Sequence, residues 1–334
     1  MPHSHHRGRL PYIERDESWM YFNKRILLEA ARTDLPLLER FNYLGIYSNN
    51  LDEFFRVRVA SLRRIVGSLE PIPTHERRKA KETLRTIIRL NHEYSALFDR
   101  TFADLLQSLN EAHIHIINEQ ELTTDQEDEV LSFFMDKING ITNPIFINSP
   151  TFRPEQHLKE SLYLVVVLWH EQGEEELAHD VALLEVPTKE LGRFLRLRDK
   201  DGESYLMFLD DVLRYCLPYI FIGREYAQYE AYTFKFTKDA EFELEQDLRS
   251  SVIEMVSRGV KRRGRGEAVR VVYDEALSPE ILRRLSDMAE LNYRDMRIGG
   301  GRYHNMRDLM TLPDCGRPGL RFPKQEPLQM DEFH

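Results

Sequence analysis

Apolar side chains recur at helical spacing through the first third of the chain. The first stripe starts at Ser18 and ends at the turn-forming residues before Pro36, which predicts one amphipathic helix. A second stripe follows Pro36 and continues beyond Asn49, where the asparagine pair predicts a break. A third, longer stripe follows Thr74, whose hydroxyl we expect to cap the helix. Three helices with short connections predict a small bundle.

The pattern changes at residue 113, where polar and apolar side chains begin to alternate as in a strand. Two pairs of strand-like runs, one around the acidic stretch 171–176 and one around the turn sequence DKDG, predict antiparallel hairpins. A capping-box pattern at Thr124 and Glu127 predicts the start of a helix. The strand-like runs lie at 113–116, 144–147, 162–169, 181–186, 194–197, 205–208, 232–236 and 269–273, and the helical segments at 124–134, 210–219, 239–262 and 279–291.

These patterns predict a multidomain chain, in which an all-α helical bundle is followed by an α+β domain. We place a flexible tail at 1–17, the helical domain at 18–112, the α+β domain at 113–323 and a connector at 324–334. With 334 residues, 42% of them apolar, the chain is long enough to bury at least one sizeable core. A disordered or fibrous protein is therefore excluded.

Cysteine usage and hydropathy indicate a soluble protein of a reducing compartment. Cys216 and Cys315 lie far apart and form no CxxC pair, so neither a zinc site nor a disulfide framework is indicated. The sequence has no uncharged apolar run of membrane-spanning length. We therefore expect a cytoplasmic protein without a transmembrane segment. His3, His5 and His6 lie in a polar tail without fixed geometry, so we assign no metal site to them.

Charge is distributed unevenly along the chain. Residues 1–100 carry 18 basic and 13 acidic side chains, whereas residues 101–334 carry 28 and 43. The basic front segment indicates either an anionic partner or an ordinary solvated surface. The basic run at 261–265 indicates either a phosphate contact or a helix C-terminus, whose dipole favours cations. We favour the helix C-terminus and expect no nucleic acid as a partner, because the run lacks interleaved aromatic side chains.

Spacings typical of catalytic sites are absent from the sequence. The glycines at 299–301 do not fit a phosphate-binding loop, and we favour a plain turn. Asp52 and Glu53 are helix neighbours that point about 100° apart, so we expect them to pair with nearby arginines such as Arg56 rather than to act as an acid/base pair. His304 could contact an anion, but a lone loop histidine is more often a structural hydrogen-bonding group.

Several long motifs, in order along the chain, carry a family resemblance. They are LGIYSNNLDEFF at 44–55, VRVA at 57–60, LRYCL at 213–217, TKDAE at 237–241 and GGRYHN at 300–305. In these motifs the chain resembles the front portion of the larger, phosphohistidine-forming family of bacterial polyphosphate kinases. The resemblance covers nearly the whole chain in order.

The resemblance implies an order of domains and a role for each of them. A helical domain closes over the nucleotide base, a head domain takes part in dimer contacts, and two catalytic domains follow. The segment 324–334 would connect to those catalytic domains, so we expect a truncated chain. In the family the phosphohistidine nucleophile and the residues associated with Mg²⁺ lie in the catalytic domains. We therefore assign no catalytic or metal-binding residue here and expect the chain alone to be inactive, with Mg²⁺ as the cofactor of the complete enzyme.

The resemblance also implies a nucleotide-binding site in the helical domain. Asn50 matches the asparagine of the family motif that contacts the adenosine, and an amide offers both a donor and an acceptor to an adenine edge. Without the motif, Asn50 would be interpreted as a helix-breaking cap. Tyr43, seven residues earlier on a similar helical face, either stacks on the base or belongs to the core.

The leading hypothesis is therefore the N-terminal and head portion of a polyphosphate kinase, which reversibly transfers the γ-phosphate of ATP to polyphosphate. We expect ATP or ADP and polyphosphate as partners, together with further copies of the chain in a homodimer or higher homo-oligomer. The alternative is a non-catalytic dimerisation or scaffold module that binds a protein partner or an anionic polymer.

Overall fold

The N-terminal part of the molecule is a domain of packed helices. The computed structural model describes residues 12–68, 71–150, 152, 159–170, 179–224, 226–238, 268–288 and 297–325. The helices of this domain are α1 (Arg15–Ala30), α2 (Leu37–Phe54), α3 (Ala60–Gly67) and α4 (Thr74–Glu111), with a π-helical segment (Phe55–Val59) between α2 and α3. The first helix therefore begins before Ser18, and its Asp16 is buried.

One long helical path runs through α2, the π-helical segment and α3. The prediction of a break near Asn49 is wrong, because α2 continues through this residue. The irregularity lies at Phe55–Val59, where the hydrogen bonds follow the wider π-helical spacing. α2 begins directly after Pro36, and α4 directly after Pro73. Thr74 makes no side-chain cap, contrary to the prediction, because the proline before it occupies the cap position.

The remaining described residues form an α+β head domain. Its strands are β1 (Ile114–Ile117), β2 (Ile145–Phe146), β3 (Leu162–His170), β4 (His179–Glu185), β5 (Phe194–Arg196), β6 (Ser204–Phe208), β7 (Tyr226–Lys238), β8 (Ala268–Asp274) and β9 (Arg297–Gly300). Its helices are α5 (Thr124–Phe133), α6 (Thr188–Leu191), α7 (Leu209–Tyr215), α8 (Leu217–Ile220) and α9 (Pro279–Met288), with a π-helical segment at Phe134–Ile138 and 3-10 turns at Met306–Thr311 and Pro318–Leu320. The predicted helical bundle followed by an α+β domain is confirmed.

Six strands form the main sheet of the head domain, in the order β2-β4-β3-β7-β8-β9. Neighbouring strands are antiparallel except for β8 and β9. β3 lies inside the sheet, and its side chains from Leu162 to Leu168 are all buried. Because successive side chains of a strand point to opposite faces, a strand that is apolar throughout must be covered on both sides. α5 and α7 pack on one face, and the helical domain contributes to the cluster on the other.

Both predicted hairpins are confirmed, since β3 pairs with β4 and β5 with β6 in the antiparallel sense. The chain turns between β5 and β6 at Asp201 and Gly202, whose φ angles are 55° and 84°. Glycine adopts this left-handed conformation without steric cost, which explains the DKDG sequence. Three sequence features, the acidic stretch 171–176, the expected helix 239–262 and the basic run 261–265, lie outside the described residues.

The helix α5 begins with a capping box that is shifted by one residue from the prediction. Thr123, rather than Thr124, is the cap residue, and its backbone amide donates to Oε1 of Gln126 at 3.0 Å. A glutamine side chain closes such a box as well as a glutamate does, so Gln126 takes the place assigned to Glu127.

The helical and head domains share one hydrophobic core. Buried side chains of α2 and α4 belong to the same cluster as Tyr163 and Val165 of β3. Gly45 of α2 lies very close to Met310. A Cβ atom at Gly45 would lie 2.6 Å from Cγ of Met310 and 2.9 Å from its backbone nitrogen. Only a glycine fits at this position without a shift of the backbone. None of the described helices is both long and apolar enough to cross a bilayer.

We expect Gly45→Ala to lower the free energy of unfolding by about 1–3 kcal/mol, because the new methyl group overlaps the backbone of Met310. Urea unfolding followed by circular dichroism measures this change. Gly319→Ala is the matched control, because nothing lies within 4 Å of a Cβ atom placed at Gly319. Equal unfolding energies for the two variants would contradict the close contact.

Candidate functional site

Asp52 of α2 joins the helical domain to the head domain through two ion pairs. Its Oδ2 accepts a hydrogen bond from Nζ of Lys235 on β7 at 2.5 Å, and its Oδ1 accepts one from Nη1 of Arg270 on β8 at 2.8 Å. Lys235 and Arg270 project from the same face of two adjacent antiparallel strands. We call these three residues the Asp52 network.

Burial and neighbouring charges act on Asp52 in opposite directions. Burial alone raises the pKa of the carboxyl group, but Lys235 and Arg270 outweigh this effect and hold the pKa below its usual range. The Arg270 guanidinium carbon also lies 4.7 Å from the ring centre of Phe55, another contact between the domains. A buried ion pair is costly to break once it has formed, so the network fixes α2 against the sheet.

The glycine-rich motif that ends at Asn305 extends the Asp52 network. Nζ of Lys235 also donates to Oδ1 of Asn305 at 2.7 Å, and Nδ2 of Asn305 donates to Oδ2 of Asp308 at 3.0 Å. Asn305 has a φ of 62°, a left-handed conformation that asparagine adopts more readily than most residues. The buried Arg193 donates to the backbone oxygen of His304 at 2.9 Å. Lys235 therefore links the end of the motif to Asp52 of α2.

A cavity of about 100 Å³ lies beside the network, between the helical domain and the strands β8 and β9. His304 and Tyr47 line this cavity, which we call the His304 cavity. Nε2 of His304 and Oη of Tyr47 are buried and have no hydrogen-bond partner among the described residues. Gly300 makes room for the imidazole, because a Cβ atom there would lie 3.1 Å from Cε1 of His304. Two of the residues that line the cavity thus carry buried polar atoms without a partner among the described residues.

His304 is a neutral imidazole in this position. Burial lowers its pKa to about 3, although a hydrogen bond to the backbone carbonyl of Tyr273 acts in the opposite direction. Nε2 of His304 is buried and has no hydrogen-bond partner among the described residues. A neutral imidazole carries one donor and one acceptor nitrogen, which suits the structural role expected for His304.

Asn50 and Tyr43 lie on α2 but away from the Asp52 network. Nδ2 of Asn50 donates to Oδ1 of Asn23 at 3.3 Å, and Nδ2 of Asn23 donates to the backbone oxygen of Tyr47 at 3.2 Å. Asn50 is half-buried and does not line the His304 cavity. Tyr43 is also half-buried and packs partly against the shared core. The structure therefore links Asp52, and not Asn50, to the GGRYHN motif through Lys235, and the nucleotide roles of Asn50 and Tyr43 stay predictions.

The partners expected for Asp52 are wrong. The carboxylate pairs with two residues that lie 183 and 218 positions later in the chain, rather than with Arg56. Nη1 of Arg56 instead lies 3.8 Å from Oε2 of Glu160. The sequence analysis also missed Lys235 and Arg270. Their signal is a single cation inside an apolar strand sequence, FKF or VRVV, because a charge on a buried strand requires a partner.

A separate cluster of one glutamate and two histidines links β1 to the turn before β6. Nε2 of His115 lies 2.6 Å from Oε2 of Glu203, and Nδ1 of His113 lies 2.8 Å from Oε1 of the same carboxylate. Hydrogen bonds from His115 and His113 hold the pKa of Glu203 below its usual range. Within the described ranges, no group of at least three His, Cys, Asp or Glu side chains is placed to hold a metal ion.

Comparison with protein families assigns both domains to one class of enzymes, the kinases. The model of the polyphosphate kinase N-terminal domain matches residues 12–117, and the model of the polyphosphate kinase middle domain matches residues 125–312. The matches follow the order of the helical and head domains. The chain belongs to the polyphosphate kinase family, which confirms the resemblance found in the sequence.

Individual relatives agree with this assignment. The chain is 33% identical over 331 residues to a polyphosphate kinase of Yersinia pestis, and the alignment covers 96% of this chain and 47% of that protein. It is 33% identical over 317 residues to a polyphosphate kinase of Escherichia coli strain K12, with 92% and 44% covered. The crystal structure of polyphosphate kinase from Porphyromonas gingivalis superposes with a TM-score of 0.75 at 28% identity, over 96% of this chain and 44% of that one. The chain thus spans less than half the length of these relatives.

Proposed function

We propose that this chain supplies the nucleotide-base contacts and the assembly surface of a polyphosphate kinase. The complete enzyme would transfer the γ-phosphate of ATP reversibly to polyphosphate, with Mg²⁺ offsetting the charge of the phosphates. Family membership supports this function, and the nucleophile and the Mg²⁺ ligands then belong to the part of the relatives that this chain does not span. No residue of this chain is assigned to catalysis or to metal binding.

The position of Asn50 is the observation that carries the nucleotide part of the proposal. Asp52, two residues further along α2, is fixed to the head domain by Lys235 and Arg270. The amide of Asn50 is oriented by its hydrogen bond to Asn23. This bond uses one N–H of the amide, and the described residues provide no partner for Oδ1. An oriented acceptor beside a second N–H complements the edge of an adenine base.

Tyr43 is the second nucleotide-contacting residue that we propose. It lies seven positions before Asn50, close to two helical turns, so both side chains project from a similar side of α2. Its ring is only half-buried, which leaves one part for the shared core and another for stacking on a base.

Assembly and location complete the proposal. We infer a homodimer or higher homo-oligomer that uses the head domain, where Tyr219 and Ile222 are large apolar side chains with 39% and 79% exposure. We also infer a cytoplasmic location, because Cys216 and Cys315 are free and buried rather than joined in a disulfide.

We expect Asn50→Ala, placed in the complete enzyme, to weaken ATP affinity by about 1–2 kcal/mol through the loss of hydrogen bonds to the base. Equilibrium titration with ATP measures the affinity, and thermal unfolding measures the stability of the same variant. Stability should change little, because the 3.3 Å contact to Asn23 is only partly buried.

Asn42→Ala is the matched control, since Asn42 is a half-buried asparagine on α2, as Asn50 is, and lines neither cavity of the domain junction. The control should bind ATP as the parent enzyme does. An Asn50→Ala enzyme with parental ATP affinity but lower thermal stability would assign Asn50 a structural role and overturn the nucleotide proposal.

A further inference from the structure

A second, larger cavity lies at the junction of the two domains. It has a volume of about 390 Å³, within the range of roughly 300–1,000 Å³ that is usual for small-molecule sites. Asp52, Lys235 and Asn305 line both this cavity and the His304 cavity, so the Asp52–Lys235 pair lies in the wall between them. Polar atoms make up most of its lining. We call it the basic cavity.

Positive charge dominates the lining of the basic cavity. Five cationic and three anionic side chains line it. Two of the three carboxylates have cationic partners, because Asp52 pairs with Lys235 at 2.5 Å and Glu160 lies 3.8 Å from Arg56. The remaining carboxylate, Glu53, is exposed.

Three cations of the lining have little or no compensating charge. Lys159 and Lys189 are exposed and make no ion pair within the part of the chain that the structure describes. Nε of Arg307 lies 3.6 Å from Oδ1 of Asp308, its neighbour in the chain, which leaves the Nη atoms of the guanidinium available. Lys and Arg carry donors and no acceptors, so these groups can be satisfied only by water or by an acceptor that enters the cavity.

These three cations lie in a part of the chain that is acidic as a whole. Residues 101–334 carry 28 basic and 43 acidic side chains, yet Lys159, Lys189 and Arg307 come together from three separate segments of this acidic region. Like charges around one concave site repel one another and attract an anion, and the attraction grows with the charge of that anion. An anion with several charges, long enough to meet several of these side chains, fits the cluster better than a single carboxylate or halide does.

We propose that the basic cavity binds a chain of phosphate groups joined by phosphoanhydride bonds. The choice of condensed phosphate over other polyvalent anions rests on the proposed function, whereas the location rests only on the lining of the cavity. Lys159, Lys189 and Arg307 contact the phosphoryl oxygens, with Arg56 at the side of the helical domain. The same chemistry occurs in inorganic polyphosphate and in the triphosphate of a nucleotide.

Isothermal titration of the 334-residue chain with tripolyphosphate tests the site. We expect binding that weakens as salt is added, and Lys189→Gln and Arg307→Gln should each weaken it about fivefold. Lys137→Gln and Arg284→Gln are matched controls, because both residues are exposed and lie outside the lining of the basic cavity. Circular dichroism of each variant confirms that it is folded.

Two further ligands identify the source of the phosphates. Orthophosphate should bind more weakly than tripolyphosphate. Displacement of tripolyphosphate by ATP, with the same sensitivity to Lys189→Gln, would assign the cavity to a nucleotide triphosphate. A lack of displacement would assign it to inorganic polyphosphate.

The site is overturned if tripolyphosphate does not bind the folded chain at low salt, or if all four variants bind it equally well. Either result leaves the proposed nucleotide role intact, since that role is tested separately by Asn50→Ala. Conversely, an Asn50→Ala enzyme with unchanged ATP affinity would not affect a binding site measured at the basic cavity. It would remove only the reason for preferring condensed phosphate as the ligand.

Discussion

Asp52→Ala should lower the free energy of unfolding by about 3–5 kcal/mol, the largest stability effect that we expect from a single substitution in this chain. The substitution removes one carboxylate but leaves two buried cations, Lys235 and Arg270, without the partner that compensates their desolvation. The two domains share one core, so loss of this contact should destabilise both. Urea unfolding followed by circular dichroism and tryptophan fluorescence measures the effect.

Glu53→Ala is the control for Asp52→Ala, because Glu53 is the adjacent carboxylate on α2 and is exposed. A surface substitution of this kind should stay within about 0.5 kcal/mol of the parent. A similar loss of stability in both variants would show that removal of any charge from this part of α2 is harmful, and that the ion pairs are not the cause.

The contribution of Asp52 should depend on pH in a defined direction. Lys235 and Arg270 hold its folded-state pKa below the ordinary value of 3.8, against the opposing effect of burial. A lowered folded-state pKa stabilises the fold above the unfolded-state pKa, and this stabilisation is lost as the pH falls through the folded-state value. The stability difference between the parent and Asp52→Asn should therefore be constant near neutral pH and shrink below about pH 4.

The isolated chain should acquire no phosphohistidine from ATP and Mg²⁺ and should make no polyphosphate. Phosphoryl transfer needs a positioned nucleophile together with cations that stabilise the charge on the transferred group. His113 and His115 each direct one ring nitrogen to the carboxylate of Glu203. Radiolabelled ATP, followed by analysis of acid-labile phosphate on the protein, measures the outcome.

His304 provides the most demanding test of this expectation. Its Nε2 has no partner among the described residues, but Lys235 and Arg270, the two cations that line the His304 cavity, are already engaged with Asp52. They are therefore not free to stabilise a transferred phosphoryl group. A complete family member serves as the positive control. Stoichiometric label on the isolated chain that disappears in His304→Gln would show that a catalytic site lies in this part of the enzyme.

The helical domain shows which structural features local sequence patterns predict and which they misplace. Apolar spacing located its helices, but it placed a break at Asn49, whereas the structure has a π-helical segment at Phe55–Val59. A π-helical turn changes the local conformational energy of the helix little, so tertiary packing decides where it occurs. The shift of the capping box from Thr124 to Thr123 has a similar cause, because glutamine and glutamate are both suitable partners and the sequence offers both.

The sequence by itself determined the class of most described segments and the family, because both depend on residues that are close together in the chain. The glycines at 299–301 are an exception, since the first two end β9 where a plain turn was predicted. The apolar run of β3 required a strand that is buried on both faces, and the motif around Asn50 identified the family before any contact was known. Only the tertiary structure decided which charges meet. Asp52 finds Lys235 and Arg270 across 183 and 218 residues, and the basic cavity is assembled from segments that no local pattern connects. An ion pair depends on distance in space and on burial, and neither quantity is encoded in the spacing of residues along the chain.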